Sequence, residues 1–89
     1  MPSEAQLSPL SNDIKAQIKT WVCELLEVDE GEVLETSLFA DEFDMDSLLA
    51  IELVASLEKR LNLSIEQEDM RRMVNLLGVY EVVEEAARR

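Results

Sequence analysis

Phe43-Asp44-Met45-Asp46-Ser47-Leu48-Leu49-Ala50-Ile51-Glu52-Leu53 closes a long acidic stretch and opens a strongly patterned helix. From Leu48 the apolar residues recur at Ile51, Val54, Leu57 and Leu61, a spacing of three or four that predicts one apolar helical face. Ser47 then falls in the first turn. There the backbone N–H groups have no intrahelical partners and the macrodipole presents partial positive charge, so an anion carried on the Ser47 hydroxyl is favoured. Serine at a helix start is ordinary in itself, because its hydroxyl caps free N–H groups. What sets Ser47 apart is its surroundings.

With 89 residues there is room for one domain and one core. A hydrophobic content of 47% with two glycines and two prolines, no sustained alternation and an abundance of Leu, Glu, Ala and Met predicts an all-α fold. Twenty acidic residues against eight basic ones leave a net charge of −12. That balance argues against nucleic acid or an anionic membrane as partner and for proteins with basic docking surfaces. The acids concentrate before Ser47: Glu27, Asp29, Glu30, Glu32, Glu35, Asp41, Glu42, Asp44 and Asp46 are interrupted by no base. A charge run of this kind commonly serves only solubility.

In chain order, residues 1–11 mix Ser, Pro and polar residues without period and are expected to form a loose tail. Met1-Pro2-Ser3-Glu4 lacks the basic and apolar regions of a signal peptide, no apolar run approaches membrane-spanning length, and a lone Cys23 fits a reducing compartment, so a cytoplasmic location is expected. Ser11 or Asn12 caps a first helix with Ile14, Ile18, Val22 and Leu25/Leu26 inward and Trp21 at the core edge, ending near Val28. A long loop follows, anchored by Leu34, Leu38, Phe39, Phe43 and Met45, with one helical turn around Ser37 to Ala40. The helix from Ser47 to Leu61 carries a polar stripe of Glu52, Ser56 and Arg60, on or beside which lie Leu49 and Leu53. Leu49 is either an exposed partner contact or tucked under the loop. Ser64 with Gln67 has capping-box spacing for a short helix from Glu66 to Met73, with Met70 and Met73 inward and Arg71 and Arg72 outward. Asn75 caps a last helix on Leu76, Val79, Tyr80, Val83 and Ala87, Gly78 allows close packing within it, and Arg88 and Arg89 suit its C-terminal end.

The chain offers little chemistry of its own. It has no His to serve a nucleophile or complete a Cys/His metal site, and no glycine-rich phosphate loop. The acidic run fails the EF-hand register from either Asp41 or Asp44, because Phe43, Met45 or Leu48 falls where an oxygen ligand is required.

Asp46-Ser47-Leu48, followed by Ile51-Glu52-Leu53, resembles the attachment site of the acyl carrier protein family, in which the serine bears 4′-phosphopantetheine delivered from coenzyme A. The resemblance spans residues 12–87 and rests on context as much as on the tripeptide: a small acidic chain, one helix, a long loop, then the serine-initiated helix and two shorter ones. It implies a four-helix bundle of the acyl-carrier type, with three longer helices, one short and a long loop between the first two. It also implies a monomeric carrier, no enzyme, that holds acyl groups as thioesters on an arm at Ser47. Asp46 is then the recognition neighbour of the serine, and Leu48, Leu49, Ile51, Glu52 and Leu53 form the partner-docking start of the helix. The implied partners are a phosphopantetheinyl transferase, an acyltransferase or acyl-activating ligase, and a ketosynthase. Fatty-acid carriers usually place an acid where this chain has Leu49, and acids where it has Lys59 and Arg60. Peptidyl carriers place glycines before the serine, where Phe43-Asp44-Met45-Asp46 has none. The pattern is most similar to discrete polyketide carriers; a fatty-acid or aminoacyl-loading carrier and a non-modified helical adaptor are the alternatives.

Overall fold

A computed structural model describes residues 11–88, so residues 1–10 of the expected tail and the expected role of Arg89 lie outside the described residues. Ser11 belongs to the first helix rather than to a tail. Its hydroxyl accepts the Ile14 N–H at 3.2 Å and caps α1, Asn12–Leu26. The helix stops at Glu27, whose φ of 61° is left-handed and turns its N–H back toward Glu24. Ile18, Val22 and Cys23 are buried on its inner face, and Trp21, half-buried, lies under the Arg60 guanidinium at 4.8 Å.

The long connection after α1 is built of short helical pieces. A 3₁₀ turn spans Glu30–Glu32, held to α1 by the 2.7 Å hydrogen bond from the Thr20 hydroxyl to the Glu30 carboxylate. A one-turn-plus helix, α2, spans Phe39–Phe43. The expected anchors are only partly confirmed. Phe39 is fully buried and Phe43 and Met45 pack against the core, but Leu34 is 66% and Leu38 40% exposed. Val33 is the anchor in their place, at 0% exposure. The local reason is a tight turn at Leu34–Ser37: Leu34 donates its N–H to the Ser37 hydroxyl at 2.9 Å, which buries Ser37 and leaves the Leu34 side chain outside.

Helix α3, Ser47–Leu61, packs across α1. Its buried face is not the stripe that the spacing suggested. Leu53 and Leu57 are the buried residues, with Leu49, Ala50, Val54 and Leu61 half-buried, whereas Leu48 is 63% and Ile51 55% exposed. At about 100° per residue each three-residue step falls about 60° short of a full turn, so the steps from Leu48 to Leu57 walk to the opposite side of the helix. The exposed face therefore runs Leu48, Ile51, Glu52, Ala55 and Lys59.

After α3 ends at the left-handed Asn62, Ile65 is buried and donates its N–H to the Glu58 carboxylate at 2.8 Å. The short helix expected from Glu66 is a 3₁₀ segment, Gln67–Arg72, and its N-terminal residue Glu66 makes no side-chain cap, so the Ser64/Gln67 capping box does not form. Helix α4, Leu76–Ala87, starts at Asn75, whose side chain accepts the Gly78 N–H at 2.9 Å. It buries Leu76, Val79, Tyr80, Val82, Val83 and Ala86; Ala87, expected inward, is exposed. Gly78 is required by proximity: a β-carbon there would stand 1.8 Å from the Arg72 carbonyl oxygen. Arg72 closes the same contact from outside, bonded to Glu85 at 2.7 Å, Glu81 at 3.2 Å and Asp69 at 3.4 Å. Tyr80 ties α4 to α1 by donating its hydroxyl to the Lys15 carbonyl at 3.3 Å. The described residues form an all-α fold of three long helices and shorter helical pieces around one core, and no helix among them is long and apolar enough to cross a membrane.

Candidate functional site

Ser47 is an exposed first residue of a fifteen-residue helix, and the sequence before it is shaped to place it there. Asp44 takes a left-handed conformation, φ 57°, that ends α2 and sends the chain back, and Met45 donates its N–H to the Phe39 carbonyl at 3.2 Å. Asp46 then adopts extended backbone, and its carboxylate accepts the Leu49 N–H at 2.9 Å. This is an N-cap bond. It satisfies one free N–H of the first turn without using the hydroxyl of the exposed Ser47 as the cap.

The loop that delivers Ser47 is held from the far side by main-chain bonds. Phe39 donates to the Val74 carbonyl at 2.9 Å, and Leu77 donates to the Glu35 carbonyl at 3.2 Å. These two bonds fasten α2 and the preceding turn to the start of α4, with the Phe39 ring buried beneath. Between α2, the first turn of α3 and the 3₁₀ segment they leave an open cleft of about 630 Å³ lined mainly by Leu38, Phe39, Met45, Ala50, Met70, Met73 and Val74, with Ser47 and Asp46 at its edge. A second cleft of about 530 Å³ shares Ser47, Ala50, Met70 and Arg71 and extends to Ile51, Gln67 and Glu68.

Of the residues singled out by sequence, the structure brings Asp46, Ser47, Leu48, Ile51 and Glu52 together on the exposed start of α3. Leu49 is half-buried beside them. Leu53 does not belong to this surface: at 2% exposure it is core, packed where α3 meets α1, and it is withdrawn as a docking residue. The sequence reading missed Arg71 as a site residue. It grouped Arg71 with Arg72 as outward cations, but Arg72 is absorbed by α4 while Arg71 lines both clefts at Ser47. The apolar wall from Met45, Met70 and Val74 was also missed as a wall, since it is assembled from three separate segments.

Titration adds one relevant fact. Burial pushes the Cys23 thiol above its ordinary pKa, with Glu30 adding to the effect, so this thiol stays protonated and inert at neutral pH. The residues present fit a phosphopantetheine arm. An exposed serine stands at a helix N-terminus, where a phosphodiester is favoured, and it lines two open clefts.

Comparison with known proteins agrees with this geometry. Residues 16–83 match the family described as "Phosphopantetheine attachment site". The chain is 56% identical over 73 residues to Polyketide-8 synthase acyl carrier protein 1 of Streptomyces avermitilis, covering 82% of this chain and 87% of that protein. It is 30% identical over 69 residues to Polyketide-8 synthase acyl carrier protein 2 of the same organism, covering 78% and 79% of the two chains. With the protein named Acyl carrier protein of Brachyspira hyodysenteriae it shares 34% identity over 70 residues, 78% of this chain and 90% of the relative. The chain belongs to the phosphopantetheine-binding acyl carrier protein family, whose members carry substrates on a phosphopantetheine group and are not themselves catalysts.

Proposed function

We propose that this protein carries acyl intermediates of polyketide assembly as thioesters on a 4′-phosphopantetheine arm attached to Ser47. The observation that carries the polyketide assignment is the 56% identity, over most of both chains, to a protein named as a polyketide synthase acyl carrier. Leu49 supports it as well: fatty-acid carriers usually place an acid at this position, and here it is apolar and half-buried at the start of α3. When bound, the arm supplies a thiol on which an acyl group is held as a thioester; the protein supplies presentation and identity.

Each residue of the site then has a task. Ser47 offers its hydroxyl at the helix start for the phosphodiester linkage. Asp46 fixes the first turn of α3 by its bond to the Leu49 N–H and sets a negative charge beside the serine for the phosphopantetheinyl transferase to read. Leu48, Ile51 and Glu52 form the face on which partner enzymes dock, with apolar contact at two positions and charge at the third. Leu49 supports that face from a half-buried position. The acidic loop before Ser47 steers basic partner surfaces toward it. The partners are a phosphopantetheinyl transferase, an acyltransferase or acyl-activating ligase, and a ketosynthase. The carrier works as a cytoplasmic monomer, and residues 1–10 are dispensable for modification.

The test is a competition. The arm-bearing protein, loaded with a malonyl group, is offered in parallel to a polyketide-type and a fatty-acid-type ketosynthase. Preferential turnover by the polyketide enzyme is expected. Equal or reversed preference would replace the assignment with a fatty-acid carrier.

A further inference from the structure

Arg71 is the cation of the Ser47 site. It lines both clefts that open at the serine, and among the described residues no other basic residue lines either of them. The charged residues that share those clefts are Asp41, Asp46 and Glu68, all carboxylates. A phosphodiester on Ser47 would add a fourth negative charge within a few ångströms of its own neighbour Asp46. The helix N-terminus offsets part of that repulsion, and the side chain placed to offset the rest is Arg71.

Its neighbour shows the contrast. The Arg72 guanidinium is occupied by Asp69, Glu81 and Glu85, whereas Arg71 makes no hydrogen bond or ion pair with any described residue, so its five N–H donors are open to a ligand. The planar guanidinium fork matches two phosphate oxygens, a match that lysine lacks.

We propose that Arg71 is the counter-ion of the phosphodiester at Ser47, pairing with the phosphate oxygens and fixing the direction in which the arm leaves the protein. The proposal rests on the reading of Ser47 as the attachment site. The phosphate is the anion chosen because its position is fixed at Ser47, so that Arg71 alone has to be ordered. An acyl group hangs from the far end of a flexible arm and would have to be ordered as well. Arg71 is exposed, so the pair contributes little to overall stability and acts on the orientation of the arm's base. It holds that base over the side of α3 that faces the 3₁₀ segment and leaves Leu48 uncovered.

The experiment compares wild type, Arg71→Gln, Arg71→Lys and the remote control Arg60→Gln, each converted with coenzyme A and a broad phosphopantetheinyl transferase and checked by intact mass. Arginine side-chain N–H NMR and phosphorus NMR are then recorded on the unmodified and modified forms. Arm attachment should shift the Arg71 Nε–H resonance and slow its exchange with water several-fold, without moving that of Arg88. In Arg71→Gln the phosphorus resonance should shift and narrow as the phosphate gains freedom. Arg71→Lys should fall between, Arg60→Gln should match wild type, and high salt should shrink the difference between wild type and Arg71→Gln. An unmoved Arg71 resonance in fully modified wild type, with identical phosphorus signals in wild type and Arg71→Gln, overturns the pairing and leaves the attachment site standing. Failure of wild type to gain the arm at all overturns the reading of Ser47, and the pairing with it.

Discussion

Replacing Leu48 and Ile51 together by alanine separates docking from folding. The two side chains are 63% and 55% exposed, so that fraction of each remains for a partner to bury. Full burial of such side chains contributes roughly 1.5–3 kcal/mol each, so the exposed fractions together offer roughly 1.8–3.5 kcal/mol of docking free energy. That corresponds to roughly a 20- to 300-fold weaker KM for acyl transfer at about 1.4 kcal/mol per tenfold. Folding should be untouched, because exposed positions contribute within about 0.5 kcal/mol and alanine is the better helix former. Leu53→Ala is the contrasting variant. Its side chain is 2% exposed, and removing it from the α1–α3 contact should cost about 2–5 kcal/mol by lost burial and the cavity left behind. The assay pairs urea unfolding with acyl-transfer kinetics against one partner enzyme. Unchanged transfer in the double variant, or unfolding as severe as that of Leu53→Ala, would refute the assignment of the exposed face.

Four further outcomes follow from the geometry. Gly78→Ala gains at most about 1 kcal/mol of helix propensity but drives a β-carbon to 1.8 Å from the Arg72 carbonyl; forced overpacking typically costs about 1–3 kcal/mol, so the thermal midpoint should fall, and a neutral or raised midpoint would contradict the close approach. Asp46→Ala should lose about 0.5–2 kcal/mol with the cap, while Asp46→Asn keeps an accepting oxygen and most of that stability; attachment at Ser47 should slow in both if the transferase reads the charge, and fast attachment to the Asn variant would show that capping alone matters. Cys23 should resist alkylation in the folded protein with and without the arm, so that modification adds one fast-reacting thiol, that of the arm, and rapid labelling of the unmodified protein would contradict the burial. Burial holds both the Cys23 thiol and the Tyr80 hydroxyl above their ordinary pKa values. Their stabilisation is complete below the unfolded values of about 8.5 and about 10 and is lost as pH rises through the higher folded ones, so urea midpoints should decline above pH of about 9; a flat alkaline profile would contradict it.

The start of α3 was legible because its signals are local. Asp46 caps the helix that Ser47 begins, and Asn75 likewise caps α4, by side-chain bonds to N–H groups three residues on. The inward face of α3 was not, since a run of apolar residues three apart drifts around the helix and only the position of α1 decides where along it burial begins. Spacing alone thus placed Leu48 with Leu57, which the fold sets on opposite sides. The loop anchors failed for a similar reason. Val33 and Leu34 are equally apolar in sequence, and the choice between them is made by the Thr20–Glu30 bond and the Ser37 turn, neither of which has a period to read. Arg71 and Arg72 are adjacent and alike; only the approach of α4 through Gly78 assigns Arg72 to Glu81 and Glu85 and leaves Arg71 at the serine.

The measurement that bears most directly on the account is the intact mass of wild type and Ser47→Ala after incubation with coenzyme A and a broad phosphopantetheinyl transferase, with circular dichroism of both. Wild type should gain a single phosphopantetheine and Ser47→Ala none, while the helical spectra coincide, because the substitution removes an exposed hydroxyl that does not cap the helix. An unmodified wild type, or a Ser47→Ala variant that still gains the arm, would contradict it.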